Sequence, residues 1–119
     1  MESPNRTLNF EFEGHSYSLT FPNNQQFLQI HNLKSSLLPN YDNLAFMGIE
    51  SEYSRLLADA IAHLSILCKD LTKDLNMVMT ELPFEQGIKI VDLYTKTFRP
   101  WYDEWMNFLF KPSEQVTES

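Results

Sequence analysis

Few side chains in this 119-residue chain are suited to chemistry: three histidines, one cysteine and sixteen acids. His15, His31 and His63 are too far apart in sequence to share the short ligand spacings of a zinc site. Asp59 and His63 are four residues apart and share a helix face, the geometry of an Asp–His pair. At that spacing the simpler expectation is a solvated i,i+4 contact. Cys68 continues an apolar stripe and reads as a buried, inert thiol, since a reactive thiolate needs an exposed, electropositive site. Asp70 and Asp74 flank "LTK" without the alternating oxygen ligands and central glycine of a calcium loop. Glu11 and Glu13 alternate with apolar residues and read as the solvated face of a sheet. Gly14, Gly48 and Gly87 form no phosphate-cradling loop. These residues assign no catalytic group, no metal ligand set and no cofactor site, and the chain reads as a non-enzyme.

The elements that carry these residues follow from periodicity. In "TLNFEFEGHSYSLTF", Leu8, Phe10 and Phe12, then Tyr17, Leu19 and Phe21, alternate with polar residues on either side of a glycine. A type II′ turn at Gly14-His15 would pair Phe12 with Tyr17, Phe10 with Leu19 and Leu8 with Phe21, all on one face. Pro22 stops the second strand, and Asn23 or Asn24 caps a helix that runs to about Leu37 with Phe27, Ile30, Leu33 and Leu37 inward. Residues 38–50 lack a period and read as a loop whose Leu44, Phe46, Met47 and Ile49 tuck onto the core. From Ser51, the residues Tyr53, Leu57, Ile61, Leu64 and Cys68 form a helical stripe, with a break near Asp70 and a short helix after Thr72. Pro83 opens a last helix with Ile88, Val91, Tyr94 and Phe98 inward, which Pro100 is expected to end or kink. The fold class is α+β: an N-terminal two-stranded antiparallel hairpin packed on a bundle of three to four helices. Residues 1–6 read as a loose leader, 7–110 as a single domain and 111–119 as a polar tail.

The formal net charge of −7 is dispersed: nine acids and five bases lie in residues 1–80, seven acids and four bases in residues 81–119. Nucleic acid and anionic membrane both call for clustered Lys and Arg, so neither is expected as a partner. A single cysteine allows no intrachain disulfide, and neither a signal-peptide pattern nor an apolar run near membrane-spanning length is visible, so a soluble cytoplasmic protein is expected. Nine Phe, five Tyr, two Trp and five Met are a heavy load of large side chains. Both tryptophans fall in "FRPWYDEWMNFLF", residues 98–110. Here Phe98, Trp101, Trp105 and Phe108 form one strip and Tyr102, Met106 and Leu109 an adjacent one. Either both strips are core, or one is core and the other binds a protein. The candidate binding set is Phe98, Trp101, Tyr102, Trp105, Met106 and Leu109. The hairpin's open edges are a further place for a partner strand or a second copy of the chain.

"FEFEGHSYSLTFPNNQQFLQIHNLKSSL" (Phe10 to Leu37), "DAIAHLSILCKDLTKDL" (Asp59 to Leu75) and "LYTKTFRPWYDEWMNFL" (Leu93 to Leu109) place a hairpin, a proline and helices in an order that resembles the small tail assembly chaperone-like proteins of tailed bacteriophages. The resemblance spans roughly residues 7–110 and rests on an aromatic hairpin and a proline–tryptophan pair in a late helix. It implies a non-enzymatic protein that shields an apolar helical client, such as a tape-measure protein, in the host cytoplasm. A longer form made by frameshifting is often found in that family. The competing class is a small acidic inhibitor that imitates DNA. That class needs acids ordered in rows, and the nine Lys and Arg mixed among the acids work against it. An enzyme with an unrecognised site is the third class.

Overall fold

The computed structural model describes residues 4–37, 49–75 and 81–110. The expected tail at 111–119 and residues 38–48 of the expected loop lie outside the described residues, while residues 49–50 of that loop belong instead to a helix. Strands β1 (Thr7–Phe12) and β2 (His15–Thr20) form an antiparallel hairpin. They are followed by helices α1 (Asn24–Leu37), α2 (Ile49–Leu67), α3 (Lys69–Asp74) and α4 (Phe84–Leu93). A π-helical turn (Tyr94–Phe98) then leads directly into α5 (Arg99–Phe110). The architecture is α+β, as the sequence pattern predicts.

The hairpin turns at Glu13-Gly14, not at Gly14-His15. Both turn residues have positive φ, 53° and 82°, as a type I′ turn requires. The register therefore pairs Leu8 with Leu19, Phe10 with Tyr17 and Phe12 with His15, two residues away from the type II′ expectation. Two residues is one full strand period, so the same apolar side chains stay on the inner face. The type I′ turn matches the natural strand twist, and its register stacks Phe10 on Tyr17 with ring centroids 5.7 Å apart.

Asn23 is the cap of α1. Its side chain accepts from Gln26 N at 2.8 Å, and Gln26 Oε1 accepts from Asn23 N at 3.1 Å, a reciprocal capping box. Only Ile30 of α1 is buried, and Phe27, expected inward, is 46% exposed. Helix α2 is the central element. Leu57 through Leu64 are all buried, because other elements cover it on every side. The chain breaks at Cys68 (φ −129°, ψ 81°), two residues before the expected position, and α3 begins at Lys69 rather than after Thr72. Cys68 is buried, as its place in the stripe predicts. Helix α3 lies against the hairpin: Leu71 is fully buried, and Tyr17 Oη donates to Asp74 Oδ2 at 2.7 Å. That hydrogen bond, with burial and nearby carboxylates, pushes the Tyr17 phenol up to about 12.

On α4 the inward residues are Gly87 and Ile90, while Ile88, expected inward, is 51% exposed. Gly87 leaves room for the Tyr53 phenol: a Cβ there would meet Tyr53 Oη, and that side chain would have to shift. Pro100 neither ends the helix nor breaks it. The turn before it widens, so that Arg99 N–H donates to Tyr94 O, five residues back. A π-turn shifts the carbonyls away from the proline ring, and the helix continues to Phe110.

Candidate functional site

The 98–110 segment keeps a polar outer face, with Asp103, Glu104 and Asn107 exposed, and its apolar residues grow more exposed toward the end, where Phe108 is half-buried against Trp105. Phe98, Trp101, Tyr102 and Trp105 are all buried, Met106 is half-buried, and Leu109 and Phe110 are 45% and 71% exposed. Four of the six candidate residues are therefore core: Phe98 packs against His63 and Tyr94, and the chain at the end of the hairpin covers Trp101, Tyr102 and Trp105. Phe21, at the end of the hairpin, sits between Trp101, Tyr102 and Trp105 at centroid distances of 5.9, 5.4 and 5.0 Å. The two indole N–H groups both donate to one backbone carbonyl, that of Asn5, at 2.6 and 2.9 Å. A carbonyl oxygen has two lone pairs, so one acceptor serves both donors. Arg6 stacks over the Trp105 ring at 5.5 Å, and its carbonyl accepts from Phe21 N at 3.0 Å. Asn5 and Arg6, assigned by sequence to a loose leader, are thus held against α5. The paired tryptophans serve to clasp the chain that enters β1.

Beneath α1 lies a polar cluster that the sequence reading missed. Asp59 and His63 are 7% and 8% exposed, not a solvated pair. Asp59 Oδ2 accepts a short hydrogen bond from Tyr94 Oη, and Arg99 Nη1 lies 3.4 Å from the same oxygen. Lys34 Nζ, from α1, is 2.9 Å from Oδ1 as an ion pair lacking the angle of a good hydrogen bond. The π-turn explains how Tyr94 and Arg99 converge: widening brings residues five apart onto one side, and Arg99 Nη1 also donates to Tyr94 Oη at 3.3 Å. His63 Nδ1 is 2.8 Å from the Asp59 carbonyl, which can only accept, so the hydrogen is on Nδ1. The imidazole is surrounded by Tyr94, Phe98 and Tyr102 at 5.6, 5.3 and 5.2 Å.

Burial holds His63 below the usual histidine range, with the Lys34 and Arg99 charges pushing the same way against Asp59. Burial alone would raise Asp59, but the Tyr94 hydroxyl, Lys34 and His63 together hold it below the usual carboxylate range. Burial and the Asp59 hydrogen bond raise Tyr94 well above an ordinary phenol. The sequence signal for this cluster was "LLADAIAHL", Leu56 to Leu64, where Asp59 and His63 stand among apolar residues on every helix face.

The arrangement joins elements of the fold. Asp59 already has three partners, and a general base must reach its substrate. Two open hollows, of about 480 and 420 Å3, flank the hairpin, and neither is lined by Asp59 or His63. Among the described residues no group of three His, Cys, Asp or Glu could hold a metal ion, and no helix is long and apolar enough to cross a membrane. Comparison with protein-family models, with curated proteins and with solved structures gives no match.

Proposed function

We propose that the chain is a non-enzymatic protein-binding module that shields an apolar helical segment of a partner. The observation that supports this reading is the exposed end of α5. Leu109 and Phe110 continue the aromatic segment beyond the core, with Met106 half-buried at its edge. Large apolar side chains grouped at the end of a helix suit an apolar partner surface. The resemblance to the tail assembly chaperone-like proteins suggests the client: a long, apolar helical protein such as a tape measure. The DNA-mimic reading has less support, because Lys34, Lys89, Lys96 and Arg99 each stand beside an acid and interrupt any row of negative charge.

The test is co-expression with an apolar helical tape-measure segment, followed by binding of the purified pair at rising salt. The reading predicts that the segment stays soluble only with this chain, and that affinity changes little with salt, as an apolar interface should. An unaltered insoluble fraction counts against it. Binding that collapses steeply with salt would favour the DNA mimic.

A further inference from the structure

We infer that α1 is held to the bundle by a proton-sensitive latch, in which Lys34 of α1 and His63 of α2 compete for one carboxylate oxygen, Asp59 Oδ1. Lys34 Nζ lies 2.9 Å from that oxygen and His63 Nδ1 lies 3.7 Å from it. The neutral imidazole donates its Nδ1 hydrogen to the Asp59 carbonyl, which leaves Nε2 to take the next proton. The resulting imidazolium is drawn to Oδ1 and repels both Lys34 and Arg99.

Two further observations make α1 the element that responds. The main core cluster is built from the hairpin, α2, α3, α4, the π-turn and α5, and contains no fully buried residue of α1. Ile30 is buried outside that cluster, while Phe27 and Leu28 are 46% and 59% exposed. Ile30, with the half-buried Leu33 and Leu37, gives α1 its apolar footing, and the Lys34–Asp59 ion pair adds to it. Releasing α1 takes no fully buried residue out of the main core.

The charged and titratable groups facing His63 are Lys34 from α1, Asp59 from α2, Tyr94 from the π-turn, and Arg99 and Tyr102 from α5, with Asp103 bound to Arg99 at 3.2 Å. The tyrosines are held above their ordinary range and the arginine stays charged, so His63 and Asp59 are the groups that titrate below neutrality. Burial is the main cause for His63 and the Tyr94 hydroxyl the first lowering one for Asp59, and the Lys34 charge, brought by α1, pushes both lower still. The docked state then binds fewer protons than the undocked one. Docking is at full strength at neutral pH and weakens as pH falls through the range in which His63 of the undocked state takes its proton, a range that burial among Tyr94, Phe98 and Tyr102 holds below the ordinary one.

The test is amide hydrogen exchange on the full chain between about pH 7.5 and about pH 5, corrected for intrinsic rates, with α2 amides as the internal reference. The opening constant of α1 relative to α2 should rise by up to about tenfold per pH unit, the slope for one linked proton. His63→Gln should flatten that slope, and His31→Gln, on the exposed side of α1, should keep it. If His63→Gln does not fold, Lys34→Met serves: α1 should open readily at neutral pH, with a reduced slope. The latch is overturned if wild-type α1 opens with no pH dependence relative to α2, if α1 opens only together with the whole molecule, or if the folded variant retains the wild-type slope.

Discussion

Asp59 is the residue on which most of the helical layer converges. One buried carboxylate takes a hydroxyl from the π-turn, a guanidinium from α5 and an ammonium from α1. Removing one member of a buried ion network strands the others, typically at a cost of about 3–5 kcal/mol. Asp59→Ala should therefore lower the stability of the chain by about that much in urea unfolding. A loss below about 1 kcal/mol would mean that the network is bypassed by water. The residue type and the i,i+4 partner were both legible in the sequence, but the partners from α1, the π-turn and α5 were not. Helical periodicity specifies which residues share a face. It does not specify which distant side chains reach across to them. The apolar residues on every side of Asp59 and His63 were the available sign that this contact is buried.

At the scale of elements, the hairpin shows how a pattern can give the right face and the wrong turn. Alternation determines which side chains point inward, and it is unchanged by a slip of two residues. Only the φ signs at the turn separate the two registers, and these place Glu13 and Gly14 at the tip. Glu13 adopts a left-handed φ that glycine or asparagine takes at lower cost, and its ion pair with Lys89, at 3.7 Å, is solvent-exposed. Glu13→Asn should thus stabilise the protein by about 0.4–1 kcal/mol, whereas Gly14→Val should destabilise it by about 1–3 kcal/mol. Thermal melts of the two variants moving in the same direction would contradict the type I′ assignment. The last helix carries a similar lesson. Pro100 signals a break in any α-helical ladder, and the π-turn that accommodates it has no sequence period of its own. Ahead of that turn, Gly87, Ile90 and Tyr94 share one face at ordinary helical spacing, and Ile88 lies off it.

At the scale of the whole molecule, the aromatic segment has two jobs in sequence. Its first half closes the core and clasps Asn5 with two indoles, and its second half projects Leu109 and Phe110 outward. The sequence pattern singled out the segment, but four of its six candidate residues are core and the exposed Phe110 was not among them. The pattern could not assign the boundary between core and surface, because that depends on where the hairpin and Phe21 end against the helix. The division predicts opposite behaviour for neighbouring positions: a Trp105→Ala substitution should cost about 3–5 kcal/mol of stability, as truncation of a buried aromatic does. The most direct measurement of the central claim is the Leu109→Ser/Phe110→Ser double variant, compared with wild type in equilibrium unfolding and in calorimetric titration with the apolar helical client segment. The predicted result is stability within about 1 kcal/mol of wild type together with binding weakened by about 2 kcal/mol or more. Binding at wild-type strength by a folded double variant would contradict the assignment of this surface.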